Sequence, residues 1–313
     1  MPLEGLHHIT AITGDAPRNV DFYARLLGLR LVKKTVNFDA PDVYHLYFGD
    51  ERGAPGSILT FFEFPGAVPG RHGDGMVHTI RWRVASEEAL GFWAARLAEA
   101  GVAVERGDGD GGPLGFADFE GLRHELLAAE VPDPPLAAQA PDVPSEHALL
   151  GFHGVRAYAS APARSAPLLE ALGFAPSGAG DGSRWRVAGT ERHAELRYEP
   201  PPAERGRTSA GTIHHIAWSA ADDDELRAYR ERAVHAGAHA TDIIDRQYFH
   251  SVYFRERSGV LFELASRDIG FQYDEPEEAL GLALKLPPQY ESRRAELERR
   301  LTPLRNPRAP VAS

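Results

Sequence analysis

Four segments of the chain share one opening: Gly5-Leu6-His7-His8-Ile9-Thr10, Met76-Val77-His78-Thr79-Ile80-Arg81, Gly151-Phe152-His153-Gly154-Val155-Arg156 and Thr212-Ile213-His214-His215-Ile216-Ala217. Each alternates apolar and polar residues, runs into a helix-period pattern, and continues into further strand-like runs. A long internal repeat constrains a fold more than local propensity does, because each copy has to be one supersecondary unit packed on its neighbours. The unit here is strand–helix–strand–strand–strand, and so small a sheet cannot bury a core alone. The expected fold class is α+β: four βαβββ modules, paired so that two modules close a curved sheet, a half-barrel, around a cavity.

Helix limits follow from apolar spacing and stop signals. The first helix is predicted over 17–27, with Val20, Phe22, Tyr23, Leu26 and Leu27 on one face and Gly28 after it. The second covers 86–100 up to Gly101, the third ends at Leu172-Gly173, and the fourth covers 223–236 up to Gly237. Strands are expected near 31–36, 44–48 and 58–64, and a polar helix over 290–301. The stretch 131–145, rich in Pro, Ala and Asp, reads as a linker. It divides the chain into a first domain of two modules, 1–142, a second, 146–285, and a C-terminal helix and tail, 286–313.

Composition removes several classes of function. A net charge of −11 opposes a nucleic-acid surface, which would be basic. No apolar run approaches the roughly 20 residues that cross a bilayer, and Met1-Pro2-Leu3-Glu4-Gly5 lacks the parts of a signal peptide. The expectation is a cytoplasmic protein without membrane contact. With no cysteine there is no disulfide, no thiolate nucleophile and no Cys-based zinc or iron–sulfur site. Any metal then relies on His, Asp or Glu. The glycine cluster Gly107-Asp108-Gly109-Asp110-Gly111-Gly112 is not a dinucleotide fingerprint and reads as a turn.

The first and fourth openings carry paired histidines, and the run Gly259-Val260-Leu261-Phe262-Glu263-Leu264 holds a carboxylate among apolar neighbours. Alternation puts Leu6, His8 and Thr10 on one strand face and His7, Ile9 and Ala11 on the other. In the fourth copy Ile213, His215 and Ala217 share a face, and His214, Ile216 and Trp218 the other. His8 and His215 hold the same place in their modules, while His7 and His214 turn toward the helix layer. Two imidazoles and one carboxylate from separate strands make a facial set for a divalent metal with open positions, the ligand type of non-haem Fe(II) oxygenases. A single histidine in a strand is ordinarily a core or surface residue; two pairs at equivalent places are not so easily dismissed. Burying Glu263 between Phe262 and Leu264 is costly without a partner or a cation.

The other two copies carry Thr79 and Gly154 at the ligand position, so that half is expected to be metal-free. Glu125, and with it Glu195, is placed where Glu263 stands. His153 is a rival ligand, but it aligns with His7, one residue out of register. His72, His147, His193 and His239 lack a partner pattern and are expected at the surface.

These modules, with inward His and Glu, resemble the vicinal oxygen chelate superfamily, which includes glyoxalase I, extradiol dioxygenases and bleomycin-resistance proteins. Within it, Gly5 to Thr10, the run from Gly28 to Phe38, Tyr44-His45-Leu46-Tyr47-Phe48-Gly49-Asp50, Gly53-Ala54-Pro55-Gly56, Gly151-Phe152-His153-Gly154, Gly259 to Glu263 and Leu286-Pro287-Pro288-Gln289-Tyr290-Glu291 look like the ring-cleaving hydroquinone dioxygenase family. The resemblance covers nearly the whole chain.

It implies that the first and fourth modules pair, with His8, His215 and Glu263 as ligands of Fe(II), or of Mn(II) in its place. The implied substrates are O2 and a small aromatic diol of hydroquinone or catechol type, and the implied activity is ring cleavage. Arg246 and Tyr253 fall in a segment resembling the one where the family keeps an Arg and a Tyr beside the substrate. Folding the hairpin at 256–259 also sets Tyr253 nearly opposite Glu263. His7 and His214 are implied as further catalytic groups. The plainer readings are a surface ion pair of Arg246 with Asp242 or Asp245, and a core aromatic for Tyr253. The superfamily often forms homodimers. Two other functions compete: a glyoxalase-type isomerase or lyase, which ordinarily uses four protein ligands, and a metal-free aromatic-binding protein, which would have lost them.

Overall fold

Each repeat folds as a strand, a helix and three further strands in the computed structural model, which describes residues 3–309 apart from 110 and 179. Asp110 of the glycine cluster and the end of the 286–313 tail lie outside the described residues. The first module comprises β1 (Leu6–Thr13), α1 (Ala16–Val20), β2 (Arg30–Asn37), β3 (Ala40–Gly49) and β4 (Ile58–Glu63). The second comprises β5 (Val77–Val84), α2 (Glu87–Glu99), β6 (Val104–Arg106), β7 (Leu114–Ala117) and β8 (Arg123–Ala128). The third comprises β9 (Phe152–Tyr158), α3 (Ala166–Ala171), β10 (Ala175–Pro176), β11 (Arg184–Ala188) and β12 (His193–Glu199). The fourth comprises β13 (Ile213–Ala220), α4 (Asp223–His235), β14 (Ile244–Asp245), β15 (His250–Arg255) and β16 (Leu261–Ser266), and α5 (Arg294–Arg300) follows near the end.

Helix starts are set by short polar caps. Asp15, Ser86 and Asp222 accept the backbone N–H of Arg18, Ala89 and Glu225 at 3.0, 3.2 and 2.9 Å. The first helix departs from the single α-helix predicted over 17–27. After Val20 it widens to a π-turn over Asp21–Leu26, closed by Leu27 N–H to Phe22 C=O at 2.9 Å. The wider turn carries Phe22, Tyr23 and Leu26 into the core together. The third and C-terminal helices begin as 3-10 turns, Pro162–Ser165 and Pro288–Arg293, both opening on prolines that have no N–H to give.

Two eight-stranded sheets result. One runs β14-β15-β16-β13-β1-β4-β3-β2, and the other β10-β11-β12-β9-β5-β8-β7-β6. In every module the first and last strands pair in parallel, which the intervening helix makes possible. Modules join through antiparallel pairing of their first strands, β1 with β13 and β5 with β9. Each sheet therefore takes one module from each half of the chain: the first pairs with the fourth and the second with the third. The split between 1–142 and 146–285 divides the sequence, and the packing units cross it.

The stretch 131–145 is a packed strap rather than a free linker. Leu136 and Val143 are buried, and buried Asp133 bonds Arg83 and His193 at 2.5 Å each. His193 is thus half-buried and paired instead of exposed; His72 and His147 are also half-buried, and only His239 of that group is exposed. Tyr23 joins the two sheets, donating to Asp118 at 2.9 Å and lying 3.0 Å from His124. No helix among the described residues is long and apolar enough to cross a membrane.

Candidate metal centre

β1 and β13 do not alternate cleanly, and the exception builds the site. Leu6 pairs with Trp218 and His8 with Ala217, so His7 is an extra residue; Thr10 pairs with His215 and Ala11 with Ile213, so His214 is extra too. A β-bulge re-aims the extra side chain. His7 and His214 therefore do not turn away to the helix layer, as plain alternation predicts. Each ring sits edge-on beside its neighbour, with Nδ1–Nδ1 distances of 2.9 Å for His7–His8 and 2.8 Å for His214–His215. The same slips recur at His78 and His153 in the central sheet. The bulge histidine is thus present in all four modules, the following histidine in two.

His8 and His215 line a cavity of about 470 Å³ and meet Glu263 behind them. The edges of the triangle are 3.3 Å between the two Nε2 atoms, 3.2 Å from His8 Nε2 to Glu263 Oε2, and 2.9 Å from His215 Nε2 to Glu263 Oε2. Metal bonds of about 2.1 Å at right angles set ligand atoms about 3.0 Å apart. All three residues are buried, and Glu263 is 0% exposed. Ser251 donates to Glu263 Oε1 at 2.5 Å, while Oε2 has no hydrogen-bond partner.

The tautomers follow from the neighbours. Ser266 C=O only accepts, so His7 Nε2, 3.1 Å away, carries the proton. Neutral His7 then presents bare Nδ1, and His8 Nδ1–H donates to it. When His8 is neutral, as a metal ligand has to be, its Nε2 lone pair points at a carboxylate oxygen, an arrangement that repels unless a cation lies between them. The residues fit a divalent metal.

Electrostatics agree. Burial, then His8, lowers His7 to about 3, and burial, then His215, lowers His214 to about 4, so both rings are neutral near pH 7. Burial raises Glu263, but the adjacent imidazoles outweigh it and hold the carboxyl well below its ordinary value. His7 has both ring nitrogens occupied and does not line the cavity, whereas exposed His214 does.

Tyr253 pairs directly with Glu263 across β15 and β16, where the folded-back hairpin predicts it. Arg246 Nε donates to Tyr253 Oη at 3.3 Å, and both line the cavity. Arg246 is ion-paired, but with Asp39 of the β2–β3 turn at 3.3 Å; Asp242 goes to Arg230 instead. Burial lowers the guanidinium, and Tyr253 with Asp39 more than restores it; burial and Glu263 push the Tyr253 phenol above its ordinary value. The cavity thus holds a fixed cation and a protonated phenol beside His8, His215 and Glu263.

Sequence reasoning gave no role to His45, Tyr47, Thr10 or Phe249, which line the same cavity. Period-two spacing could have flagged His45 and Tyr47, which share a face of β3. Phe249 lies tilted against His8, at 4.9 Å between ring centroids, and has no such signal because it lies in a loop.

The central sheet repeats the scaffold with other chemistry. Glu125 stands at the register place of Glu263, but Arg81 donates to its Oε2 at 3.1 Å and Arg156 to its Oε1. Glu195 does not share that place: it pairs with Gly154, and Arg197 is the true counterpart. His153 faces Glu195 at 3.4 Å. Among the described residues the one His/Asp/Glu group tight enough for a metal is His8, His215 and Glu263.

Comparison with known proteins agrees with this geometry. The family model for the Glyoxalase/Bleomycin resistance protein/Dioxygenase superfamily matches residues 5–134 and 113–264. The chain is 41% identical over 305 residues to "Putative ring-cleaving dioxygenase MhqO" of Bacillus subtilis, covering 96% of each. It is 35% identical over 314 residues to "Chlorohydroquinone/hydroquinone 1,2-dioxygenase" of Sphingobium indicum, covering 95% of each. A crystal structure of a "putative dioxygenase" from Bacillus subtilis superposes with a TM-score of 0.90 at 38% identity, covering 97% of this chain and 98% of that one. Maize glyoxalase I, at 15% identity and a TM-score of 0.61, shares the fold. The chain belongs to the Glyoxalase/Bleomycin resistance protein/Dioxygenase superfamily, and within it to the family of ring-cleaving dioxygenases.

Proposed function

We propose that the protein is an Fe(II)-dependent dioxygenase that opens the ring of a hydroquinone, with both atoms of O2 entering the product. The observation that carries the reading is the place opposite Glu263. The first and fourth modules are related by a pseudo-twofold, so Thr10 pairs with Thr60 where Ala217 pairs with Glu263. Thr60 therefore occupies the position of a fourth protein ligand, and a threonine there leaves that side open to substrate. An isomerase of glyoxalase type would be expected to fill it.

A ferrous ion held by His8, His215 and Glu263 supplies the electron path from ring to O2. The chain's own groups do the rest. His7 and His214 fix the ligand rings through Nδ1. Arg246 places a permanent positive charge where a phenolate oxygen gathers negative charge. Tyr253 keeps its proton and donates it as a hydrogen bond at the same oxygen. Phe38, Phe62, Phe64 and Phe249 line the cavity and exclude water from the ring.

The test is oxygen uptake by protein loaded anaerobically with ferrous iron. Hydroquinone and oxygen should be consumed one to one, with label from O2 in the ring-opened product. Tyr253→Phe should keep its iron but turn over about 10²- to 10³-fold more slowly, the range for one lost hydrogen-bond donor to developing negative charge. If no diol consumes oxygen while a thiol hemithioacetal is converted, the isomerase reading replaces this one.

A further inference from the structure

The pseudo-twofold that sets Thr60 against Glu263 also sets a second tyrosine against Tyr253. Tyr253 pairs with Glu263 and Tyr47 with Thr60, so Tyr47 is the counterpart of Tyr253 and His45 that of Ser251. The hydrogen bonding is parallel. Ser251 holds Glu263 on one side; on the other, His45 Nε2 lies 2.9 Å from Thr60 Oγ1. The cavity thus has two phenols on opposite walls, one beside the metal ligands and one on β3.

β3 lies two places from β1, which is about 10 Å along a sheet with strands about 4.8 Å apart. An aromatic ring with oxygens at opposite ends can bridge that span, with one oxygen at the metal and the other at β3. We propose that Tyr47, oriented by His45 and Thr60, is a specificity-determining residue that accepts a hydrogen bond from the diol hydroxyl remote from the metal. The inference rests on the dioxygenase reading and assigns a residue to the far hydroxyl of its para-diol.

The direction of that hydrogen bond follows from the chain behind it. Thr60 gives its proton to Thr10 Oγ1 at 2.9 Å, so it accepts from His45 Nε2–H. Neutral His45 then offers bare Nδ1, and Tyr47 O–H donates to it at 2.9 Å. The free end of the line is an acceptor, the remaining lone pair of Tyr47 Oη. Burial keeps the line uncharged: it holds His45 well below and Tyr47 well above their ordinary values. Packing fixes the rings, with His45 4.1 Å from Tyr47 and 4.4 Å from Phe62, and Phe271 5.0 Å from Tyr47, centroid to centroid. Such a wall favours a ring whose far substituent can donate. An ether, a halogen or a carboxylate cannot.

The experiment is an anaerobic binding titration of iron-loaded protein with hydroquinone and with 4-methoxyphenol, whose far oxygen can only accept, alongside oxygen uptake. Tyr47→Phe should weaken hydroquinone binding about two- to twelve-fold, the worth of one neutral hydrogen bond, and leave 4-methoxyphenol binding as in wild type. Thr60→Val, which is isosteric, should shift the same ratio in the same direction by freeing His45 to turn. It serves if Tyr47→Phe does not fold. An unchanged ratio in both variants, or equal loss for both ligands, overturns the inference while active wild type leaves the dioxygenase reading standing. Wild type that takes up oxygen with catechol and not with hydroquinone also overturns it. No oxygen uptake by wild type with any diol refutes the underlying reading instead.

Discussion

His7→Phe tests the tautomer argument most directly. The substitution keeps a ring against Phe249, 5.2 Å away by centroid, but removes the acceptor for His8 Nδ1–H and the donor to Ser266 C=O. Two buried polar groups lose their partner at about 1–3 kcal/mol each, so metal-free protein should lose roughly 2–6 kcal/mol of stability. The larger lesson lies in the metal. Without His7, nothing obliges His8 to keep its proton on Nδ1, and a proton on Nε2 removes the ligand. Loss of such an orienting partner ordinarily costs about 10- to 100-fold in metal affinity.

The assay is competition for ferrous iron against a chromophoric chelator under argon, run beside thermal melts of the metal-free protein. His78→Phe is the control, because His78 sits on the same bulge in the central sheet and bonds Thr79 Oγ1 at 2.9 Å instead of a ligand. It should lower the melting temperature and leave iron affinity unchanged. Wild-type iron affinity in His7→Phe would refute the argument, as would an equal loss in His78→Phe.

Removing a ligand is the blunter probe: His8→Ala, His215→Ala and Glu263→Ala should each lose most bound iron by elemental analysis, whereas His153→Ala should not. Stability should fall on the acid side through the buried imidazoles. His7 and His124 are lowered by burial to about 3, and His214, by burial and then His215, to about 4. Their folded values lie below the unfolded value of about 6.5, so the unfolded chain binds more protons in between. Their contribution is full above about pH 6.5 and declines as pH falls toward 3. Melting temperatures of metal-free protein that stay level from pH 7 to pH 5 would contradict this.

The repeat and the meeting of His8, His215 and Glu263 could be read from the residues, because each rests on a periodic signal or on a repeated motif, whereas the pairing of outer with outer modules came from the family resemblance. Tyr253 opposite Glu263 could be read as well, since hairpin register is arithmetic once the turn is placed. The bulges could not. Alternation assumes an unbroken ladder, and a one-residue insertion in β1 and β13 is invisible until the partner strand is known. A bulge also inverts the phase beyond it, so His8 with Thr10 and His215 with Ala217 kept a common face, while Leu6 and Ile213, which alternation puts with them, fall on the opposite face with Ile9 and Ile216, and His7 and His214 are re-aimed beside their neighbours. The partner of Arg246 was missed for a related reason: Asp39 is distant in sequence and approaches only through sheet closure, whereas Asp242 and Asp245 are merely near in the chain.

The central sheet shows what the scaffold requires when no imidazole ligand is present. Its bulge histidines remain, so the bulge belongs to the joint between modules rather than to the metal. Its carboxylate remains too, and a buried carboxylate needs compensating positive charge. In the outer sheet no arginine or lysine among the described residues meets Glu263: its Oε2 faces the two imidazoles and has no hydrogen-bond partner. In the central sheet Arg81 and Arg156 supply that charge from inside the chain, bonding both oxygens of Glu125. The register places of those arginines are held in the outer sheet by Thr10 and Ala217, side chains too small and neutral to do the same. One fold thus reaches neutrality around an inward glutamate by two routes. Where the guanidinium groups are missing, His8, His215 and Glu263 could meet the electrostatic demand by holding a cation, and the small residues in place of the arginines leave open space beside them.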